Sequence, residues 1–177
     1  MSGGDSRHIP VFCILFKTTL GWCGVVDSPK GILRIEIGYP RREQLHKQIA
    51  NRFGNLIVND RITGGVVDRI TRYFSGEKVL FNYAMDWSSL SPFQRKAFKE
   101  AMKISYGTVE TYGNLAYRIG CPDGSRAVGG ALSKNPFPLV VPCHRIIRGD
   151  GKLGGFSAAG GIALKRKLLQ LEGVIHS

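Results

Sequence analysis

The apolar run at residues 139–141 constrains the fold more than any other segment, because it leads through Pro142 directly into Cys143. Such a run predicts a buried strand, and proline ends a strand because it has no N–H for a ladder hydrogen bond. His144 and Arg145 follow, and both can carry positive charge. A free thiol, with a pKa of about 8.5, is only a few per cent thiolate at neutral pH, and neighbouring cations or bases raise that fraction. The pattern predicts a reactive cysteine, with a structural one as the alternative, since free cysteines are commonly buried.

The composition is that of an ordinary globular protein. The chain has 177 residues, of which 43% are hydrophobic, and this is enough for one domain or two small ones. It contains no apolar run of the roughly 18 residues that span a membrane, and residues 1–10 lack the pattern of a signal peptide. We therefore expect a cytoplasmic protein with no membrane segment.

The four cysteines lie far apart and form no Cys-x-x-Cys pair. This spacing does not favour a structural zinc site, and an intracellular chain is expected to keep its thiols reduced. We expect no metal and no cofactor. A disulfide between Cys13 and Cys23 is left open.

The formal net charge of +12 indicates a polyanionic partner. Residues 88–177 contain 13 Lys and Arg against 5 Asp and Glu, whereas residues 1–87 contain 12 against 8. The excess therefore lies in the half that carries Cys143. A basic surface of this size attracts nucleic acid, and plain solubility charge is the alternative.

The first 85 residues are predicted to form a small α/β domain. Apolar and β-branched runs predict three strands, and apolar residues at helical spacing predict two helices. The strands fall at residues 11–17, 22–27 and 32–37, and the helices at 41–53 and 66–74. No cluster of chemically active side chains stands out in residues 1–85, so this half is interpreted as a supporting domain.

Residues 86–177 are predicted to form a second, mostly helical domain, entered through a linker at residues 81–90. Ser91-Pro92 is typical of a capped helix start, with proline at the first helical position. Thr111 and Ser125 each predict the cap of a further short helix. Two short helices joined by a tight turn, in a basic domain, indicate a helix-turn-helix.

The helix predicted at residues 126–133 contains Gly129 and Gly130 side by side. A glycine inside a helix costs about 1 kcal/mol relative to alanine, so a pair needs a reason such as close approach of another molecule or backbone. One interpretation is packing against a neighbouring helix. The other is a narrow helix that enters the DNA minor groove, which is only about 6 Å wide. Arg126, at the start of the helix, would then reach into the duplex.

Glu172 ends the helix predicted at residues 162–172. An acidic group at this end opposes the helix dipole, and Leu168 and Leu169, one turn earlier, offer no cation. A tertiary partner such as an active-site histidine would offset the charge. A solvated surface glutamate is the alternative.

Six short motifs resemble, in their order and spacing, those of the O6-alkylguanine-DNA alkyltransferase family. They are Thr111-Tyr112-Gly113, Ser125-Arg126-Ala127-Val128-Gly129-Gly130-Ala131, Asn135-Pro136, Val141-Pro142-Cys143-His144-Arg145, Gly154-Gly155-Phe156-Ser157 and Leu171-Glu172-Gly173. The resemblance extends over residues 90–173. It implies a small ribonuclease-H-like α/β domain at residues 1–85. It also implies a winged-helix-like, helix-turn-helix domain at residues 86–177 that binds DNA and accepts the alkyl group.

The resemblance implies a role for each matching residue near the cysteine. Cys143 would take an alkyl group from O6 of guanine irreversibly, in a single turnover. His144 would act through a water molecule as the base that yields the thiolate, and Glu172 would orient it. Tyr112 would promote rotation of the nucleotide and donate toward the purine.

The resemblance also implies a DNA-binding helix and a substrate pocket. The DNA-binding residues would be Ser125, Arg126, Ala127, Gly129 and Gly130, and the pocket residues Asn135, Pro138, Arg145, Ile146, Phe156 and Ser157. An alkyl group on a paired base is out of reach, so the base would be flipped at a cost of a few kcal/mol, and Arg126 would fill its place.

Three pocket residues have more detailed implied roles. Asn135 would bind across the turn between the DNA-binding helix and the cysteine segment. Ser157 would hydrogen-bond near O6, and the backbone carbonyls of Cys143 and Ile146 would accept from the guanine amine. The implied partner is duplex DNA carrying O6-alkylguanine, bound through its minor groove. The protein is expected to be a monomer with no obligate protein partner.

Phe156 departs from the family pattern, in which tyrosine is common at this position. The ring can still form a pocket wall, but the hydroxyl is lost. Two other functions compete with alkyl transfer. A non-catalytic lesion binder resembling the alkyltransferase-like proteins would typically lack Cys143. A cysteine hydrolase would need an opposed base, which the adjacent His144 does not supply.

Overall fold

A four-stranded sheet forms the N-terminal part of the structure, a computed structural model that describes residues 11–54, 56–59 and 65–175. The strands are β1 (Val11–Thr18), β2 (Gly21–Ser28), β3 (Gly31–Tyr39) and β4 (Leu56–Val58). Their order is β3-β2-β1-β4, with β1 to β3 antiparallel and β4 parallel to β1. The three predicted strands are confirmed, whereas β4 is too short for the sequence to predict. The start at residues 1–10 lies outside the described residues.

The two predicted helices of this half are confirmed, and they pack on opposite faces of the sheet. They are α1 (Arg42–Phe53) and α2 (Val66–Phe74). Val25 and Val26 of β2 are consecutive and so point to opposite faces. Val26 packs in a small cluster with α1, whereas Val25 packs in the main core with Ile70 of α2.

The segment predicted as a linker, at residues 81–90, is attached to the sheet rather than free. The Ile32 N–H donates to the carbonyl of Ala84 at 2.9 Å, and the Asp86 N–H donates to the carbonyl of Ile32 at 2.8 Å. Met85 is buried between these bonds. The segment therefore lies alongside the start of β3 as an irregular extra strand.

Four helices and a short parallel strand pair build the C-terminal part. They are α3 (Pro92–Ala101), β5 (Glu110–Thr111), α4 (Tyr112–Arg118), α5 (Ser125–Leu132), β6 (Ile146–Ile147) and α6 (Gly161–Leu171). A 3-10 turn over Cys143–Arg145 precedes β6.

The sequence signals for the starts of α3 and α4 are confirmed. The Ser91 hydroxyl accepts from the Gln94 N–H, and the Gln94 side chain accepts from the Ser91 N–H, so the two form a capping box. The Thr111 hydroxyl accepts from the Asn114 N–H at 3.1 Å. Both caps satisfy backbone N–H groups that have no partner inside the helix.

The predicted cap at Ser125 is wrong by one residue. Gly124 occupies the cap position of α5, and its carbonyl accepts the first helical hydrogen bond, from the Val128 N–H at 2.8 Å. Glycine suits this position because a Cβ there would lie only 2.4 Å from the sulfur of Cys121. Ser125 is therefore the first helical residue and makes no capping bond.

The strand predicted at residues 139–141 is also wrong, although all three residues are buried. The Val141 N–H donates back to the carbonyl of Phe137 at 2.8 Å, which closes a tight turn. Leu139 has a φ of 74°, and within the described part of the chain it is the one non-glycine residue with a positive φ. These two features explain the difference, because a positive φ lies outside the extended region and the Val141 N–H is used within the turn rather than in a strand ladder.

The main hydrophobic core crosses the predicted boundary between residues 85 and 86. One cluster contains Ile35 of β3, Phe74 of α2, Phe98 of α3, Val128 of α5 and Leu168 of α6. The division into domains at 1–85 and 86–177 stays a prediction.

All four cysteines are free thiols. Cys13 lies opposite Val26 and Cys23 lies opposite Phe16 in the register of β1 and β2, so the two sulfurs are not paired. None of the helices in the described ranges is both long enough and apolar enough to cross a bilayer.

We expect Gly31→Ala to destabilise the fold, because Gly31 has a φ of 118° and a Cβ there would lie 2.4 Å from the carbonyl oxygen of Ala84. Backbone strain of this kind costs about 1–3 kcal/mol before the clash is counted. Thermal unfolding would measure it. Gly54→Ala is the matched control, since Gly54 also has a positive φ, of 72°, but no neighbouring atom within 4 Å. Equal losses in the two variants would show that the contact with Ala84 contributes nothing.

Candidate active site

Cys143 is held by the backbone on both sides of Pro142. Its N–H donates to the carbonyl of Val141 at 2.8 Å, and its carbonyl accepts from the Ile146 N–H, which closes the 3-10 turn. The residue is 7% exposed. The thiol is therefore fixed at the edge of the core, with one side open to a cavity.

Asn135 joins the thiol to the turn at residues 139–141. Its side-chain Nδ2 donates to the carbonyl of Val141 at 2.9 Å and to the sulfur of Cys143 at 3.2 Å. Its Oδ1 accepts from the Phe137 N–H at 2.9 Å. The side chain thus spans the chain between α5 and the cysteine, at the place where the resemblance implies such a contact.

His144 and Glu172 are hydrogen-bonded in the buried interior. His144 Nε2 lies 2.8 Å from Glu172 Oε1, and the two side chains are 1% and 0% exposed. The hydroxyl of Tyr73, from α2, donates to the same oxygen at 2.6 Å and lies 3.2 Å from His144 Nε2. The tertiary partner predicted for Glu172 is present, and the alternative of a surface glutamate is wrong.

Arg145 neutralises the buried carboxylate. Its Nε donates to Glu172 Oε2 at 2.9 Å and its Nη2 to Oε1 at 2.9 Å, while Nη1 donates to the carbonyl of Ile104 at 2.7 Å. The guanidinium therefore faces Glu172. His144 and Arg145, the two cations expected beside the thiol, both point toward the carboxylate of Glu172.

These contacts set the protonation of the site. Burial raises the pKa of the Glu172 carboxyl, but hydrogen bonds from His144, Arg145 and Tyr73 outweigh it and lower the pKa to about 2. Burial lowers the pKa of His144, and Glu172 offsets this only in part. Burial also raises the pKa of Cys143, although the hydrogen bond from Asn135 lowers it in part. At neutral pH the site holds an ionised Glu172, a neutral His144 and a neutral thiol.

Lys165 is the cation that acts on the thiol. This residue of α6 is fully buried, and its Nζ donates to the carbonyl of Ile146 at 2.5 Å and lies 5.9 Å from the centre of the Tyr112 ring. Burial lowers its pKa to about 8, and interaction with Cys143 opposes that shift. Its charge in turn lowers the pKa of Cys143.

A cavity of about 730 Å³ opens beside Cys143. Tyr112 of α4, the first turns of α5 and the glycine-rich loop that contains Phe156 form its walls, and its predicted residues are Tyr112, Ser125, Arg126, Gly129, Cys143, Phe156 and Ser157. Its volume is typical of a small-molecule site.

A second cavity, of about 400 Å³, reaches Cys143 from the side of β3. Asn135, Pro138, Phe156 and Ser157 line it together with the ion pair between Arg34 and Glu36. Cys143, Phe156 and Ser157 line both cavities, so the thiol lies where they meet.

The exposed face of α5 carries small residues beside Arg126. Arg126, Ala127 and Gly130 are exposed, and a Cβ at Gly130 would meet no atom within 4 Å. A Cβ at Gly129 would make only an ordinary contact, at 3.8 Å, with the Tyr112 ring. Packing against a neighbouring helix therefore does not require the glycine pair, which leaves the interpretation of a narrow helix for a groove.

Two residues predicted for the pocket lie elsewhere. Arg145 lies behind Cys143, against Glu172, and lines neither cavity. Ile146 is buried, and its carbonyl already accepts from Lys165. Since a carbonyl has two lone pairs, one further acceptor position is left on that oxygen.

Sequence reasoning missed Tyr73 and Lys165. Nothing in the sequence near Tyr73 distinguishes it from an ordinary buried aromatic residue of α2. Lys165 did carry a signal, because Leu168 and Leu169, three and four residues later, make the buried face of α6, and a lysine on that face needs a partner.

Comparisons with known proteins agree with this geometry. The family model described as 6-O-methylguanine DNA methyltransferase, DNA binding domain, matches residues 92–174. The methylated-DNA–protein-cysteine methyltransferase of Sulfolobus acidocaldarius is 39% identical over 160 residues, which cover 90% of this chain and 92% of the relative. The chain belongs to this methyltransferase family.

Other members of the methyltransferase family match in sequence or in structure. Proteins of the same name from Mycobacterium bovis and Mycobacterium tuberculosis are 44% identical over 108 residues, and the match covers 61% of this chain and 64% of theirs. The crystal structure of Mycobacterium tuberculosis OGT in complex with DNA superposes with a TM-score of 0.76 at 31% identity, over 92% of both chains. The O6-methylguanine-DNA methyltransferase of Pyrococcus kodakaraensis gives 0.71 at 28% identity, over 92% of this chain and 99% of its own.

No group of three or more His, Cys, Asp and Glu side chains in the described parts of this methyltransferase-family chain is placed to hold a metal ion.

We expect the stability of the protein to fall as the pH drops from about 4.5 to about 2, the interval between the ordinary and the lowered pKa of Glu172. A lowered carboxyl pKa stabilises the fold above the ordinary value, and that contribution is lost on protonation. At 1.36 kcal/mol per pH unit, the interval from 4.5 to about 2 corresponds to about 3 kcal/mol. Denaturant unfolding at several pH values would measure the slope. Glu172→Gln should flatten it, and an unchanged slope in that variant would assign the acid sensitivity to other carboxyls.

We expect Lys165→Met to slow alkylation of Cys143 by iodoacetamide, because loss of the buried positive charge raises the pKa of the thiol further. A higher pKa lowers the thiolate fraction, and we expect the rate at pH 8 to fall by about three- to tenfold because the thiolate is the reacting form. Peptide mass spectrometry would follow the modification. The control is Lys167→Met, an exposed lysine on the same helix. Equal rates in the two variants would contradict the assignment of Lys165.

Proposed function

We propose that this chain is a direct-reversal DNA repair protein that transfers an alkyl group from O6 of guanine to Cys143, irreversibly and once per molecule. The observation that carries the proposal is the position of Cys143. Its thiol opens onto a cavity of about 730 Å³ that the glycine-bearing helix α5 also lines. His144, which is hydrogen-bonded to the buried Glu172, follows it in the same 3-10 turn. Family membership supports the same reaction.

The proposed reaction is a direct displacement. The sulfur of Cys143 attacks the alkyl carbon, a sulfur–carbon bond forms, and the bond between that carbon and O6 breaks with its electron pair left on the guanine. The thiol proton passes through a water molecule to Nδ1 of His144. The guanine anion takes up a proton from water, and the imidazolium returns its proton to solvent, so the charges balance. The product is a thioether with no easy leaving group, so the protein is spent.

The neutral form of His144 supports its role as the base. Glu172 accepts from Nε2, which leaves Nδ1 with no hydrogen-bond partner in the described part of the chain although it is buried. A thiol with a raised pKa needs such a base near it, because little thiolate forms without one. Lys165 and Asn135 stabilise the thiolate once it forms.

Tyr112 and Ser157 are proposed to contact the flipped base. Burial raises the pKa of the Tyr112 phenol, so it stays protonated and can donate toward the purine as negative charge develops there. Ser157 and Phe156 both line the cavity, and Ser157 would hydrogen-bond near O6 of the bound base. Asn135 holds the cysteine segment in register with α5.

The helix α5 is proposed to lie in the minor groove of duplex DNA. Its face of small residues, Ala127, Gly129 and Gly130, suits a groove about 6 Å wide. Exposed Arg126 can occupy the space that the flipped base vacates. Ser125 in the first turn would contact the backbone. The net charge of +12 supports attraction to the phosphates. A structure of a family member with DNA supports the partner.

The finer description of the fold belongs to the same proposal. The strand order β3-β2-β1-β4 supports a ribonuclease-H-like domain at residues 1–85, and α3 to α5 with the β5–β6 pair support a winged-helix-like domain at residues 86–177. We propose that the protein acts as a monomer without an obligate protein partner. We place this activity in the cytoplasm and assign it no cofactor.

We expect one methyl group to be added to Cys143 when the protein is incubated with duplex DNA containing O6-methylguanine. Intact and peptide mass spectrometry should show saturation at one methyl group per chain and none in Cys143→Ser. Cys121→Ser is the control, because Cys121 is the other cysteine with some exposure and should be dispensable. Tight binding to the lesion without a change in mass would instead identify a non-catalytic lesion binder.

A further inference from the structure

We propose that Tyr73 is a positioning residue for the alkyl transfer: its hydroxyl, donated to Glu172 Oε1, sets how strongly that carboxylate holds the proton of His144. The inference rests on the proposed function of Cys143. It assigns an active-site role to the N-terminal half of the chain, which the sequence indicates only as support.

The geometry fixes the direction of each proton. Glu172 is ionised and can only accept, so both the Tyr73 hydroxyl, at 2.6 Å, and His144 Nε2, at 2.8 Å, donate to Oε1. With its proton on Nε2, the neutral imidazole has an unprotonated Nδ1. That atom is buried and has no hydrogen-bond partner among the described residues, so it is free to accept the thiol proton.

Tyr73 influences His144 because both side chains donate to Glu172 Oε1. Oε1 accepts from Tyr73, His144 and Arg145, and each donor takes up part of its negative charge. The Tyr73 hydroxyl therefore weakens the attraction of Glu172 for a protonated His144. Without the hydroxyl, Oε1 would stabilise the imidazolium more strongly and raise the pKa of His144. As the pH falls, His144 would then become protonated, and stop acting as a base, at a higher pH.

The charged and titratable groups around this pair come from four parts of the chain. Arg145, in the 3-10 turn, binds both oxygens of Glu172, and Lys165, from α6, acts on His144 through its charge. Tyr106 follows α3, and its hydroxyl donates to the carbonyl of Leu171 rather than to Glu172. Tyr73, from α2, is thus the tyrosine that contacts both members of the pair.

The ring of Tyr73 is fixed independently of its hydroxyl. The residue is 1% exposed, and its ring packs against Phe74, Phe81 and Tyr106 with centroid distances of 5.6, 5.7 and 6.2 Å. Tyr73→Phe therefore removes one O–H and keeps the packing, which makes it a specific probe of the hydrogen bond.

The test is the single-turnover rate of methyl transfer from O6-methylguanine DNA between pH 4.5 and 8, with the fold checked at each pH by circular dichroism. We expect the rate to fall as His144 becomes protonated, at a pH below the ordinary imidazole pKa of 6.5. This fall is the acid limb of the pH profile. In Tyr73→Phe the limb should move up by about half a unit, which lowers the rate on the limb about threefold, while the plateau stays within about twofold of the wild type.

Tyr106→Phe is the matched control, since it also removes a tyrosine hydrogen bond beside Glu172 but none to the carboxylate. A limb that moves only in Tyr73→Phe supports the proposal. An unmoved limb, or a uniform loss of rate at every pH in both variants, overturns it and leaves Tyr73 a structural residue. If the wild-type protein transfers no methyl group, the proposed function fails instead, so the two failures are distinguishable.

Discussion

The buried carboxylate of Glu172 is the interaction on which the rest of the structure depends. An ionised carboxylate in an apolar interior is strongly unfavourable unless it is paired and hydrogen-bonded. Glu172 meets this condition by drawing His144 and Arg145 from the 3-10 turn, Tyr73 from α2 and the Gly107 N–H from the turn after α3. Because these groups come from distant parts of the chain, the carboxylate fixes the end of α6, the cysteine turn and α2 relative to one another.

The same arrangement explains why the thiol is not simply activated by the cations next to it in sequence. His144 and Arg145 are committed to Glu172, and burial raises the pKa of Cys143. Burial strengthens the effect of the few polar groups near the sulfur. Asn135, at 3.2 Å from the sulfur, and the buried charge of Lys165 are those groups. In the proposed reaction, the site depends on positioning and on neutral His144 as a base rather than on a standing thiolate.

The sequence predicts the features that depend on residues close together in the chain. The three long strands, α1 and α2, and the caps at Ser91 and Thr111 depend on neighbours in the chain, and the motif around Cys143 is specific enough to indicate its chemistry. The apolar run at residues 139–141 has the composition of a buried strand but forms a buried turn. Hydrophobicity alone does not distinguish the two. Tyr73 lies 71 positions from His144, and without the fold no spacing rule links an aromatic residue of α2 to a histidine beyond α5.

The N-terminal half contributes residues to the site as well as to the core. The main core runs without a break from β3 through α2 to α6, so the position of α2 follows from packing that the C-terminal half shares. A shift of α2 would move the Tyr73 hydroxyl away from Glu172, and the second cavity places β3 within reach of Cys143. Cys143 and Tyr73 thus belong to one continuous hydrophobic core. Changes in the sheet can reach the chemistry through α2 without altering any residue of the cysteine motif.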